Sequence, residues 1–422
     1  MNTGKSWRQS LRESLDRAFS LDERKDLAFD LGLNHEQLGL DVSSRELIYK
    51  CEREKRLHEL LELCAKKRPN ENWPEIIPID MGGEVVPAKY EPGAFDWQFL
   101  VGQIEKDICS PVISNSLIEP VLFPNQNMIH AWAEHIHYPL KDAENLPRVA
   151  QFAKVIYGHE YVAKDNYLNF IKRCLLDEIN TLDRYSKTAK NSYSEREFAK
   201  LNMGDLIRKL ITLRTGTNAS SLVEAMAQLP LSVFITTSFH TVLEEALRFQ
   251  GKTPITDFYR WSDQLVASYG DNARLSGNHI PSEKEPLVYH LLGLDNEPSS
   301  LVLTEDDYFD FFERASQDVQ RADGLPVPVR NTFTKDTLIL LGYDIQNWPF
   351  RVVFRGPIKS LFRKGSRHLS YAIQLIPSPE HGITDTEAFQ QYIQGFFREY
   401  QFSLYWGEAE DFVNELFAKR EG

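Results

Sequence analysis

The sequence predicts an α/β protein, a parallel sheet covered by helices on both faces, preceded by a small all-helical unit. Three observations predict it. From residue 94 onward, short apolar runs alternate with helical stretches, the pattern of strands joined by crossover helices. Before residue 69 the apolar residues recur only at helical spacing. Between these parts, residues 68–93 are rich in Pro, Gly and Asn and hold no sustained periodicity. The expected organisation is therefore a helical unit over 1–68, a linker over 69–93 and an α/β domain over 94–422.

In chain order, Leu11, Leu15, Ala18 and Phe19 form one apolar stripe of a first helix. Ser20 followed by Glu23 reads as a capping box opening a helix over 21–31, with Gly32 as its C-cap. A short helix over 35–40 follows. A longer one runs from Ser44 to a lysine- and arginine-rich end, as the helix dipole favours. In the second part, strands are predicted at CSPVIS (109–114), LSVFITT (231–237), LVYHLL (287–292), SLVLT (300–304), TLILLG (337–342) and YAIQLI (371–376). Helices are predicted over 146–157, 167–182, 205–215, 241–249 and 306–318. The polar stretch 186–196 reads as a loop within a helical insertion. The tail over 385–419 reads as helical with one strand-like run, FSLYWG.

Composition narrows the function. With 42% hydrophobic and 26% charged residues, this is an ordinary globular chain able to bury a core. A formal charge of -13 argues against direct nucleic-acid binding and against anionic membranes, which need clustered Lys and Arg. No run approaches the roughly 18 apolar residues of a membrane span, and the first residues lack a signal-peptide core, so a cytoplasmic location is expected. The four cysteines form no C-x-x-C pair, so neither a zinc ribbon nor a redox pair is expected, and no metal.

Candidate chemistry gathers at strand ends. Residues 235–240, ITTSFH, sit at a strand-to-helix turn, where side-chain oxygens and helix N–H groups can meet a ligand or simply cap the helix. His290 ends an apolar run beside Gly293. A lone histidine there is either a hydrogen-bonded core residue or a proton acceptor, and its place at the end of the run favours the second role. Gly342 permits close approach of a phosphate or ribose, and Asp344 can bind ribose hydroxyls. Thr304 to Asp307 reads as a helix cap. Gly4-Lys5-Ser6 and Gly251-Lys252-Thr253 lack the leading glycine of a phosphate loop, and no G-x-G-x-x-G or G-x-S-x-G occurs.

The runs ITTSFHTVLEEAL, VYHLLG, SLVLTEDDY and LILLGYDIQNWPFRVVFRG resemble the sirtuin-like domains of bacterial antiviral-defence proteins. The stretches LRESLDRAF and RLHELLELCAKKRPN resemble the death-like adaptors called effector-associated domains. The first resemblance implies a Rossmann-like fold with NAD as substrate or ligand, and a family reaction that hydrolyses the bond to nicotinamide. Under it, His290 matches the family's base, Thr236 and Thr237 its threonine pair, and Gly342 and Asp344 its late strand-end turn. Two positions depart from the pattern. Residues 113–117, ISNSL, replace a glycine-rich loop, so that Ser114, Asn115 and Ser116 would face the phosphates. Ser238 and His240 replace an asparagine and an acid that position the ribose or the attacking water. The four-cysteine zinc module of deacylating sirtuins is missing, which disfavours deacylation. Two readings follow: an NAD hydrolase with His290, Ser238 and His240 as catalytic residues, or a catalytically inactive adaptor or sensor. The second resemblance implies protein partners carrying a matching domain, and self-assembly.

Overall fold

The computed structural model describes residues 7–31, 33, 44, 47–48, 51, 56–69, 71, 73, 95–182, 194–214, 221–272, 275, 279–318, 324–344, 348–354, 370–374, 383 and 385–421. The chain divides into two compact units, Met1–Lys89 and Tyr90–Gly422.

The larger unit contains strands β1 (Cys109–Ile113), β2 (Val233–Thr236), β3 (Ile255–Phe258), β4 (Leu287–His290), β5 (Thr337–Leu341), β6 (Ser370–Gln374) and β7 (Phe402–Trp406). They form one sheet in the order β3-β4-β2-β1-β5-β6-β7, with every pairing parallel. The five inner strands are buried along their whole length, while the edge strands β3 and β7 are only partly covered. Strands buried on both faces need unbroken apolar runs, which is why these strands are readable from composition. Successive side chains feed opposite faces. Ile113, Phe234, Val288, Ile339 and Leu341 join one core, and Val112, Ile235, Tyr289, Leu338 and Leu340 join the other. The fold class expected from the sequence is the one observed.

Several elements differ from expectation. SLVLT is not a strand: Pro298–Ser300 is a 3-10 turn, and Leu301 to Leu303 are buried without sheet pairing. The run is apolar because Leu301 and Leu303 face one core and Val302 the other. The edge strand β3 was not anticipated; its four residues include the polar Thr256 and Asp257. Trp348 to Arg351, in the run after the Gly342 turn, belong to the helix Trp348–Val353. The helix expected over 167–182 begins earlier and runs Glu160–Leu182.

In the smaller unit, Ser20 and Glu23 form the expected capping box of helix Leu21–Asp30. Leu11, Leu15, Phe19, Leu27, Leu60 and Cys64 share its core. Helix Leu57–Lys67 starts at Arg56 and is not the uninterrupted continuation of a helix from Ser44. Gly32, residues 35–40 and all of 74–93 lie outside the described residues.

Candidate functional site

β1 lies between β2 and β5, so successive strands leave it in opposite directions. The crevice between the carboxyl ends of β1 and β5 is the place where such sheets bind ligands. The structure brings together the loops carrying the predicted site residues there, after β1, β2, β4 and β5.

On the β1 side, Ser114 caps helix Asn115–Leu122 by accepting from Ser116 N, and the Leu117 amide donates to the Ser114 carbonyl at 3.1 Å. Two of the first helical N–H groups are thus satisfied within the loop. Ser116 Oγ donates to the Gly342 carbonyl at 2.6 Å, bridging the crevice. Gly342 has φ +74, and a Cβ there would lie 2.5 Å from Leu117 Cγ and 2.9 Å from Ser116 Oγ. Gly342 is therefore required by the protein's own loop, in contrast to the expectation that it leaves room for a phosphate. Asp344 lies exposed at the same turn.

Thr236 and Thr237 also turn inward. Thr236 Oγ1 donates to the Ile113 carbonyl at 2.9 Å and accepts from Ser238 N, tying β2 to β1. Thr237 Oγ1 lies 3.2 Å from the Tyr343 hydroxyl. Neither hydroxyl caps the next helix, Val242–Phe249, whose N-cap Thr241 makes no side-chain cap bond.

Ser238 and Asn115 meet: Ser238 Oγ donates to Asn115 Oδ1 at 2.8 Å, and Asn115 Nδ2 donates to Glu119 at 2.8 Å. Burial raises the Glu119 carboxyl above the usual range, against the pull of His240 and Asn115. His240 Nδ1 pairs with Asp295 Oδ2 at 3.0 Å, while among the described residues His240 Nε2 and Asp295 Oδ1 are buried with no partner.

His290 is where expectation and structure part. It ends β4 opposite Thr236 and is 0% exposed. Its Nδ1 lies 2.7 Å from the Ser238 carbonyl and its Nε2 2.9 Å from Glu244 Oε1. Both partners offer acceptor oxygens, an arrangement that favours the doubly protonated ring. Burial opposes that charge, but the Glu244 carboxylate and the Ser238 carbonyl outweigh it and hold the ring above its ordinary value. A ring held toward its protonated form, with both nitrogens engaged, is poorly placed to take a proton from a substrate. Gly293 beside it has φ +93 and faces the Ser300 carbonyl, which a Cβ would meet at 2.2 Å; it admits backbone, not ligand.

Glu244, Asp295 and Glu119 are the partners that sequence reasoning missed. Glu244 and Glu119 sit on helices, where an acid reads as solvent-facing. Asp295 lies in a turn and had no local signal. Among the described residues, no group of three or more His, Cys, Asp or Glu side chains could hold a metal ion. In loop 114–117 the Ser116 and Leu117 amides and the Ser116 hydroxyl are engaged with Ser114 and Gly342 rather than turned toward a pyrophosphate.

A family model for a SIR2-like domain matches residues 232–402, and one for effector-associated domain 7 matches residues 11–69. The first covers β2 to the start of β7 but not β1 or its loop. No curated protein matches the chain. SIR2-like domains are NAD-related in general, and effector-associated domains point to protein–protein interaction in general. No described helix is long and apolar enough to cross a membrane. The two matches support a defence-type effector architecture, and the chain joins an effector-associated domain to a SIR2-like domain.

Proposed function

We propose that this chain is a catalytically inactive sirtuin-like adaptor of bacterial antiviral defence, which works by recruitment and not by cleaving NAD. The observation that carries this reading is the self-filled crevice: Ser116 bridges to Gly342 at 2.6 Å with Leu117 packed behind it. The occupied state of both His290 nitrogens supports it as well. The effector-associated domain would recruit partners carrying a matching domain and would promote self-assembly in the cytoplasm. The test is incubation of the full chain with NAD, alone and with a candidate partner. No nicotinamide release above the buffer rate is expected; release at enzymatic rates sinks the reading.

One observation favours the NAD-hydrolase reading. His240 is oriented by Asp295 through Nδ1 and keeps an unpartnered Nε2, so any base in this site is His240 and not His290. If release is seen, His240→Ala should abolish it.

A further inference from the structure

An open sheet ends in two edge strands, whose outward backbone groups need partners or protection. The two edges of this sheet are built differently. At β3 the Ile255 amide donates to the Pro286 carbonyl and the Tyr259 amide to the His290 carbonyl, so the alternation turns Phe258 outward. Its N–H donates to Asp257 Oδ1 at 2.8 Å, and its carbonyl accepts from Arg260 Nη1 at 3.1 Å. Asp257 and Arg260 form a buried ion pair at 2.7 Å. A charge built into a strand end discourages pairing with another strand. The β3 edge is guarded.

β7 has no such guard. The Ser370 amide donates to the Gln401 carbonyl, and the Gly407 amide donates to the Gln374 carbonyl. Residues 401, 403, 405 and 407 therefore face β6, while Leu404 and Trp406 turn their N–H and C=O groups outward. Among the described residues, nothing bonds to those groups. The strand FSLYW holds no charge and no proline, and its aromatic residues favour extended pairing. Its faces are covered, since Tyr405 packs on one core and Leu404 and Trp406 on the other. Only the edge is open.

The two ends of β7 differ in charge. Arg398 precedes it, in the last turn of helix Thr386–Glu399. Glu408 and Glu410 follow it, at the start of helix Ala409–Glu421. All three are exposed, and among the described residues none has an ion pair. Two such strands side by side in parallel would set like charges together; antiparallel, the basic end of one meets the acidic end of the other. We propose that a second copy of this chain pairs antiparallel with β7 about a twofold axis at Leu404. Leu404 then exchanges both backbone hydrogen bonds with the same residue of the other copy, and two seven-stranded sheets join as one. This contact is separate from the effector-associated domain, and it brings two of those domains into one assembly.

Sedimentation equilibrium and disulfide trapping of the full chain test this. The unmodified chain should sediment as a dimer or larger. Under a mild oxidant, Leu404→Cys should give a covalent dimer that reductant reverses, at least about tenfold faster than Ile280→Cys, an exposed control in the loop before β4. Glu408→Arg should weaken self-association by about tenfold, and adding Arg398→Glu should restore it. Should Leu404→Cys fail to fold, these charge variants decide. A chain that stays monomeric overturns the proposal and leaves the edge to another occupant. Trapping at 404 no faster than at 280, or association unmoved by Glu408→Arg, overturns it as well.

Discussion

Between Ser238 and Glu244, the His290 ring is a strut carrying charge, and its energetics follow from that. Its protonated form is favoured in the folded state relative to an unfolded value of about 6.5, so the folded chain binds the extra proton. The stabilisation is fully present below about pH 6.5 and is lost as pH rises through the raised folded value. Denaturant unfolding should show stability falling above that pH in the wild type and not in His290→Phe. His290→Ala leaves Glu244 buried without its charged partner, with the Thr256 hydroxyl still donating to it, and should cost about 3–5 kcal/mol. At this scale the sequence was half legible. The position of His290 at a strand end could be read from LVYH. Its role could not, because Glu244 lies on another element and touches it only in three dimensions.

The inner strands were legible as elements because burial on both faces demands continuous apolar runs. SLVLT carries the same signature for a different reason, since it is wedged between two cores, and composition cannot separate these cases. The edge strand β3 stayed hidden because exposure relaxes the demand on its side chains. The loop after β1 shows how far an element-level argument reaches. ISNSL is visibly not a glycine-rich loop, but only the fold shows Leu117 seated on Gly342. Gly342→Ala should therefore destabilise the chain by about 1–3 kcal/mol, from positive φ and from the clash together. Adding Leu117→Ala should restore part of that loss. No recovery in the double variant would mean that Leu117 does not fill the crevice.

For the whole molecule, the sequence places the expected linker in the Pro- and Gly-rich stretch after Arg68. The chain separates into Met1–Lys89 and Tyr90–Gly422, each with its own core. Removing residues 1–89 should leave the larger unit folded, with an unchanged circular-dichroism melting transition, while abolishing co-purification with partners that carry a matching domain. Retained recruitment would assign that role to the sirtuin-like unit instead. The central claim, that the crevice is filled by Ser116 and Leu117 and admits no pyrophosphate, is tested most directly by calorimetric titration of NAD into the full chain. No saturable binding is predicted up to millimolar NAD; saturable binding that ADP-ribose displaces would contradict the account.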